Sequence, residues 1–315
     1  MNAAGSSTHG PGAGRYAPSP TGELHLGNLR TALLAWLFAR ATGRAFRLRI
    51  DDLDAARVRP GVAVRQAADL AALGLAFDGP VVLASELAPQ HSEALARLAG
   101  WTYECFCTRR EIAEAAEAPH GLPRRYPGTC RDLSEVQRSR LRRTRSPALR
   151  VRADSAVQSV ADLLHGSVSG QVDDFVVRRN DGVAAYMVTV VVDDAAMGVD
   201  QVIRADDLLA ATPFQAWLAV RLGLPTPTYG HVPLVVNAAG QRLAKRDGAV
   251  TISDLAAVGT GPAQVLGLLA CSLDLAQPGE PVTPALLLDR FDPTRVPARP
   301  WTAVPYHAAG AMPSG

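Results

Sequence analysis

The sequence predicts an α/β protein built around a parallel sheet, and three observations carry that expectation. At 48% hydrophobic and 20% charged, the 315 residues suffice for one large domain or two smaller ones with sizeable cores. Short strand-like runs alternate with helical ones, the order in which right-handed crossovers join parallel strands. A Pro/Gly-rich loop then delivers the chain into its first long helix, where free N–H groups and the positive end of the helix dipole would face an anion. This composition excludes a disordered or collagen-like chain.

Residues 1–14 are rich in Gly, Ser and Ala without apolar period, and predict a disordered tail before structure starts near Arg15. The start of the chain lacks a basic, then apolar, leader, so the expected location is cytoplasmic. The run 27–40 has no breaker and places Leu29, Leu33, Trp36 and Leu37 on one stripe before Gly43, which predicts a buried helix. Residues 47–51 alternate apolar and charged side chains into an Asp-rich turn, a strand that carries Arg49 and Asp51 to its C-terminal end. Helices are expected at 64–73 and 92–98, closing the first half of the sheet domain, residues 15–100. An insertion at 101–147 holds three cysteines, a short helix opened by the capping-box pattern Thr108-x-x-Glu111, and a Pro/Gly-rich loop. Strand patterns resume at 148–152, 175–178 and 184–192. The apolar run 183–192 is too short to cross a membrane, so no membrane partner is expected. A helix at 212–222, a strand at 231–236 and a polar loop complete the second half, residues 148–255. The remaining residues, 256–315, predict a short helical part, with an amphipathic helix at 262–275, and a Pro-rich tail.

Two loops stand out chemically. In the first, Pro18-Ser19-Pro20-Thr21-Gly22-Glu23-Leu24-His25-Leu26-Gly27-Asn28, prolines fix φ and glycines permit a close turn. His25 in the first helical turn can then bond a phosphate, with Gly27 leaving room for a flat base. The second is Gln241-Arg242-Leu243-Ala244-Lys245-Arg246-Asp247-Gly248. Of 32 basic residues Lys245 is the only lysine, which points to a place where a compact ammonium cannot be exchanged for a guanidinium. Such a loop can close over a polyphosphate at the transition state. A third constellation, Cys105-x-Cys107 with Cys130, gathers soft ligands suited to a structural zinc, with His120 or Tyr126 as the fourth donor. Cys271 reads as core. Arg138, Arg140, Arg142, Arg143, Arg145, Arg150 and Arg152 form a basic run able to follow phosphates or to remain a solvated face.

In this order and spacing, His25-Leu26-Gly27-Asn28 and Arg242-Leu243-Ala244-Lys245-Arg246 resemble the two signature motifs of class I aminoacyl-tRNA synthetases. Residues 15–22 (Arg-Tyr-Ala-Pro-Ser-Pro-Thr-Gly), 48–54 (Leu-Arg-Ile-Asp-Asp-Leu-Asp) and 202–209 (Val-Ile-Arg-Ala-Asp-Asp-Leu-Leu), with Thr212-Pro213-x-Gln215, resemble glutamyl-tRNA synthetases over about residues 15 to 255. A catalytic domain with a Cys-x-Cys insertion and no long helical appendage is similar to the glutamyl-queuosine tRNA(Asp) synthetase subfamily. The resemblance implies a Rossmann-type nucleotide-binding domain that activates L-glutamate with ATP and Mg²⁺ and transfers it to queuosine in tRNA(Asp), as a monomer. It assigns His25 and Lys245 to catalysis, His25, Gly27, Asn28 and Lys245 to ATP, and Arg15, Ser19, Asp51, Tyr186 and Arg204 to glutamate. For Tyr186 a place in the core is the alternative.

The resemblance also assigns one structural Zn²⁺ per chain to Cys105, Cys107, Tyr126 and Cys130. Asp51 stands where the family has Glu, which retracts the carboxylate by one methylene, and the lysine loop keeps only the second lysine of its motif. Three rival readings are a truncated glutamyl-tRNA synthetase charging tRNA(Glu), another class I nucleotidyltransferase, and a non-catalytic paralogue that binds tRNA or amino acid.

Overall fold

A computed structural model describes residues 12–108, 110–112, 126–237, 239–241, 243 and 250–302. The chain divides into two compact units, one drawn from 1–83, 201–209 and 229–315, the other from 84–200 and 210–228.

The first unit opens with β1 (Ala13–Tyr16), α1 (Leu26–Ala41), β2 (Ala45–Ile50), α2 (Val62–Ala72) and β3 (Val82–Leu83). β1 starts at Ala13, two residues ahead of the expected Arg15. It runs parallel to β2, with Ala13 opposite Ala45 and Tyr16 opposite Leu48, and β2 runs parallel to β3. The apolar run of α1 is buried on almost every side, as a helix packed in a core must be. Gly14 lets it approach the sheet, since a Cβ there would lie 2.8 Å from the Cβ of Ala39.

The second unit contributes α3 (Ala88–Arg97), β4 (Thr102–Cys105), α4 (Glu135–Arg142), β5 (Ala148–Val151), β6 (Ala156–Asp162), β7 (Gly166–Val172), β8 (Val176–Arg178) and α5 (Tyr186–Ala196). Its pairings are antiparallel: β4 with β5, β5 with β8, and the hairpin β6–β7. The expected strand at 184–192 is a helix. Its β-branched residues favour strand locally, but Val188, Val191 and Val192, at helical spacing, fall into one buried cluster with Phe175, Trp217 and Leu218, and burial overrides propensity. Asp193 on the same helix accepts a 2.5 Å hydrogen bond from His91 on α3.

After β9 (Val199–Ala205), α6 (Thr212–Leu222) belongs to the second unit, and β10 (Thr228–Val232), β11 (Val235–Val236), α7 (Ile252–Ala257), α8 (Pro262–Cys271), α9 (Pro284–Arg290) and β12 (Trp301–Thr302) to the first. α6 spans the expected 212–222. The expected strand at 231–236 is split between β10 and β11 around Pro233, which cannot donate to a ladder. Strands of the first unit follow the order β3-β2-β1-β9-β10, an α/β arrangement. No helix among the described residues is long and apolar enough to cross a membrane.

Candidate active site and cysteine cluster

The loop leaving β1 is pinned before it reaches α1. Asp51 N–H donates to the Pro18 carbonyl at 2.9 Å and Arg59 N–H to that of Pro20 at 3.0 Å. Gln66, 1% exposed on α2, donates through Nε2 to the carbonyls of Ser19 (3.1 Å) and Gly22 (2.8 Å). The sequence reading missed Gln66. Its one signal is a polar residue on the buried stripe of Val62 and Leu70.

His25 is the N-cap of α1. Its Nδ1 accepts from Gly27 N–H at 3.1 Å and Asn28 N–H at 3.4 Å, while Asn28 Oδ1 accepts from His25 N–H at 3.3 Å. Leu26 N–H donates to the Val250 carbonyl and Leu29 N–H to that of His25, both at 3.0 Å. The N–H groups of residues 25–28, which the sequence predicts to be free for an anion, therefore all have partners within the chain. With Nδ1 an acceptor, a neutral His25 ring carries its proton on Nε2. Gly27 makes room for that ring, because a Cβ at 27 would sit 2.9 Å from His25 Cε1 and 3.0 Å from Nδ1.

Lys245 lies outside the described residues, with Arg242 and the rest of 244–249, but both flanks of this loop are placed. Leu243 is buried against Val235 and donates its N–H to the Val235 carbonyl at 3.0 Å. Val250 caps Leu26, and Thr251 forms a β-bridge with His25. The residues that follow the second loop, Val250 and Thr251, thus meet the N-terminus of α1.

Arg15 and Arg204 stand on neighbouring strands, β1 and β9, and are 6% and 4% exposed. Arg15 Nη1 donates to the Ile203 carbonyl at 3.4 Å. Arg204 Nε donates to His231 Nε2 at 3.0 Å, and its guanidinium carbon lies 5.4 Å from the centre of the Tyr229 ring. Asp51 accepts from the fully buried Arg49 through a 2.8 Å Nε–Oδ1 contact, so part of its carboxylate is already engaged. Ser19 is exposed. Arg15, Ser19, His25, Gly27, Asn28, Asp51 and Arg204 all lie in the first unit. Tyr186 belongs to the second unit, at the first turn of α5, and at 47% exposure is not a core residue. His231 and Tyr229 were not singled out from sequence. Their signal is two polar aromatics at alternate positions of a buried strand.

In the second unit the Sγ atoms of Cys105, Cys107 and Cys130 lie within 4.8 Å of one another. The Tyr126 hydroxyl is 3.5 Å from Cys105 Sγ and 3.8 Å from Cys107 Sγ, and accepts from Cys130 N–H at 2.9 Å. Phe106 N–H donates to Cys130 Sγ at 3.4 Å. The Arg150 guanidinium stacks 3.8 Å from the Tyr126 ring centre. Burial opposes the Cys105 thiolate, but the Tyr126 hydroxyl and Arg150 outweigh it and hold the thiol below its ordinary value. Cys107 is pushed up to about 12 by burial and by Cys130, and burial with the Cys105 contact raises Tyr126. Tetrahedral zinc with bonds of about 2.3 Å separates its sulfurs by about 3.8 Å. Three converging thiols, a phenol oxygen at the same centre and a backbone donor to sulfur suit such an ion. His120 lies outside the described residues. The capping box expected at Thr108 forms, with Glu111 and Thr108 bonding each other's backbone N–H.

Residues 13–271 match the family model for class I tRNA synthetases (E and Q), catalytic domain. A glutamyl-Q tRNA(Asp) synthetase of Nocardia farcinica is 60% identical over 293 residues, 92% of this chain and 92% of that protein. Glutamate–tRNA ligase 1 of Halorhodospira halophila is 40% identical over 312 residues, 93% of this chain but 65% of the ligase. Among solved structures, a glutamate tRNA ligase from Elizabethkingia meningosepticum in complex with its amino acid superimposes with a TM-score of 0.75 at 25% identity, covering 91% of this chain and 66% of that one. The chain belongs to the class I tRNA synthetases of the glutamate and glutamine type, in the branch whose members are named glutamyl-Q tRNA(Asp) synthetase.

Proposed function

We propose that this chain joins L-glutamate to ATP, presented with Mg²⁺, to give glutamyl adenylate and pyrophosphate without tRNA, and then transfers the glutamyl group to queuosine in the anticodon of tRNA(Asp). The observation that carries the reading is the pair of buried guanidiniums, Arg15 and Arg204, in the same unit as the His25-capped helix. Guanidiniums bind a side-chain carboxylate through charge-assisted, bidentate bonds. Within the first unit, Arg15, Ser19, Asp51 and Arg204 hold glutamate. Its α-carboxylate oxygen attacks the α-phosphorus, the bond to the β-phosphate breaks, and pyrophosphate leaves. His25, through Nε2–H, and Lys245 stabilise the charge on the phosphorus oxygens, beside the Gly27 and Asn28 backbone. A hydroxyl of the queuosine ring then attacks the mixed anhydride and AMP departs. Cys105, Cys107, Cys130 and Tyr126 would hold a zinc ion that cross-links β4 to the segment 126–130, a structural role.

Charging of tRNA(Glu) is the second reading, favoured by the likeness to glutamate–tRNA ligase 1. The first is supported by a match that runs nearly end to end in both proteins for the glutamyl-Q relative, against 65% of the ligase. Exchange of labelled pyrophosphate into ATP, driven by glutamate with no tRNA added, tests activation. Wild type is expected to exchange and Lys245→Ala to lose it; no exchange in wild type overturns the reading. Labelled glutamate is then offered with queuosine-containing tRNA(Asp) or with tRNA(Glu), and label on the latter alone selects the second reading.

A further inference from the structure

We infer that His231, together with Tyr229, is a positioning residue for Arg204, and that it sets the preference of this site for a carboxylate over an amide. The inference rests on the reading of Arg204 as a glutamate-binding residue.

Tyr229 and His231 occupy alternate positions of β10 and so share one face of the strand. Both are buried, at 3% and 0% exposure, and their rings are nearly parallel, 19° apart with centres 6.2 Å from each other. β10 neighbours β9, which carries Arg204. The Arg204 guanidinium is planar, so two constraints fix its plane: the direction of Nε–H and the surface against which one face rests. His231 Nε2 supplies the first at 3.0 Å, and the Tyr229 ring the second.

As the acceptor, His231 Nε2 bears no proton, and this contact orients the cation without adding a negative charge to it. A carboxylate receives two parallel N–H bonds only when it is coplanar with the fork of a guanidinium. Glutamine offers one acceptor oxygen and an NH₂ that opposes the fork, so it gains far less from a correctly set plane. Loss of the Nε contact should therefore weaken glutamate binding selectively.

The test is glutamate-driven pyrophosphate exchange by the full chain, comparing His231→Gln with His231→Asn. Both substitutions install an amide of similar volume, but only the longer one carries its oxygen to the place of Nε2. His231→Gln is expected to keep KM for glutamate within about threefold of wild type. His231→Asn should raise it about tenfold or more, with kcat and KM for ATP unchanged and with discrimination against glutamine reduced by a similar factor. Equal behaviour of the two variants, or parallel changes in kcat and KM for ATP, overturns the inference while leaving the reading of the activity intact. A wild type that neither exchanges nor binds glutamate by calorimetry overturns both.

Discussion

Gly27→Ala probes why a glycine follows His25. A methyl group at 27 meets the His25 ring at 2.9 and 3.0 Å, but Val235 Cβ only at 3.3 Å, so the ring is what must move. Keeping the ring in place costs about 1–3 kcal/mol of overpacking; swinging it out forfeits the cap, about 1 kcal/mol. The cheaper route is loss of the cap, offset in part by the better helix propensity of alanine, up to about 0.8 kcal/mol. His25→Ala forfeits the same cap directly. The two substitutions thus remove one interaction, and the double variant should be no less stable than Gly27→Ala alone. Stated as a cycle, His25→Ala costs about 1 kcal/mol in the wild-type background and about zero in the Gly27→Ala background, a coupling of about 1 kcal/mol. Urea unfolding of the four proteins followed by circular dichroism reads these differences directly. An unchanged cost of His25→Ala in both backgrounds would refute the account, because the glycine would then be serving something other than the ring. Gly27→Ala should also lose pyrophosphate exchange to about the extent that His25→Ala does, since both displace Nε2–H.

Asp69 on α2 has its pKa raised to about 6, mainly by burial and then by Glu23, against Arg65. A carboxyl whose folded pKa exceeds its unfolded value binds more protons when folded between about pH 4 and 6, so stability falls as pH rises through that window. Asp69→Asn should stabilise the chain at pH 7 by about 1 kcal/mol, two pKa units discounted for partial exposure, with the gain gone at pH 4; a pH-independent difference between urea midpoints contradicts this. Metal analysis of the purified protein should find about one zinc per chain, and Cys130→Ser should lose it with a lower Tm and sensitivity of the wild type to chelators; an intact Tm after metal stripping counts against the site. On and beside α4, Arg138 pairs with Glu135, Arg142 with Glu104 and Glu135, Arg145 with Glu111, and Arg152 with Asp132, while Arg140 and Arg143 have no acidic partner among the described residues. Arg140→Ala with Arg143→Ala should lower the salt slope of tRNA binding by about 2 and leave tRNA-free exchange alone; an unchanged slope removes these arginines from the RNA interface.

Local pattern was enough for some elements and not for others. The unbroken run of α1, the Thr-Pro start and Gly223 stop of α6, and the capping box at Thr108 depend on neighbours in sequence, and all were legible. So was the grouping of Cys105, Cys107 and Cys130, because soft ligands are rare enough for their spacing to speak. Residues 184–192 were not legible, since a valine-rich stretch carries the same composition in a buried strand and a buried helix. The hairpin β6–β7 also escaped notice: its pairs, from Ala156 opposite Val172 to Asp162 opposite Gly166, are mostly small or polar residues with weak alternation. Gln66 and His231 are single polar residues whose partners lie 44 and 27 positions away, and no local window holds both ends of such a contact.

The buried arginines of the first unit show how differently one residue type is held in one core. Burying a guanidinium is costly unless its donors are met. Arg30 meets that cost with scaffold alone, spending Nε, Nη1 and Nη2 on Ser272 Oγ, the Pro233 carbonyl and the Ser272 carbonyl, and burial lowers its pKa to about 10. Arg49 is matched by the Asp51 carboxylate, which cancels its charge within the chain. Arg15 donates to the Ile203 carbonyl and Arg204 to the His231 imidazole. All four are arginines buried to a similar degree, so composition and burial cannot tell them apart. What separates Arg15 and Arg204 from the other two is the sequence resemblance, which assigns both to glutamate.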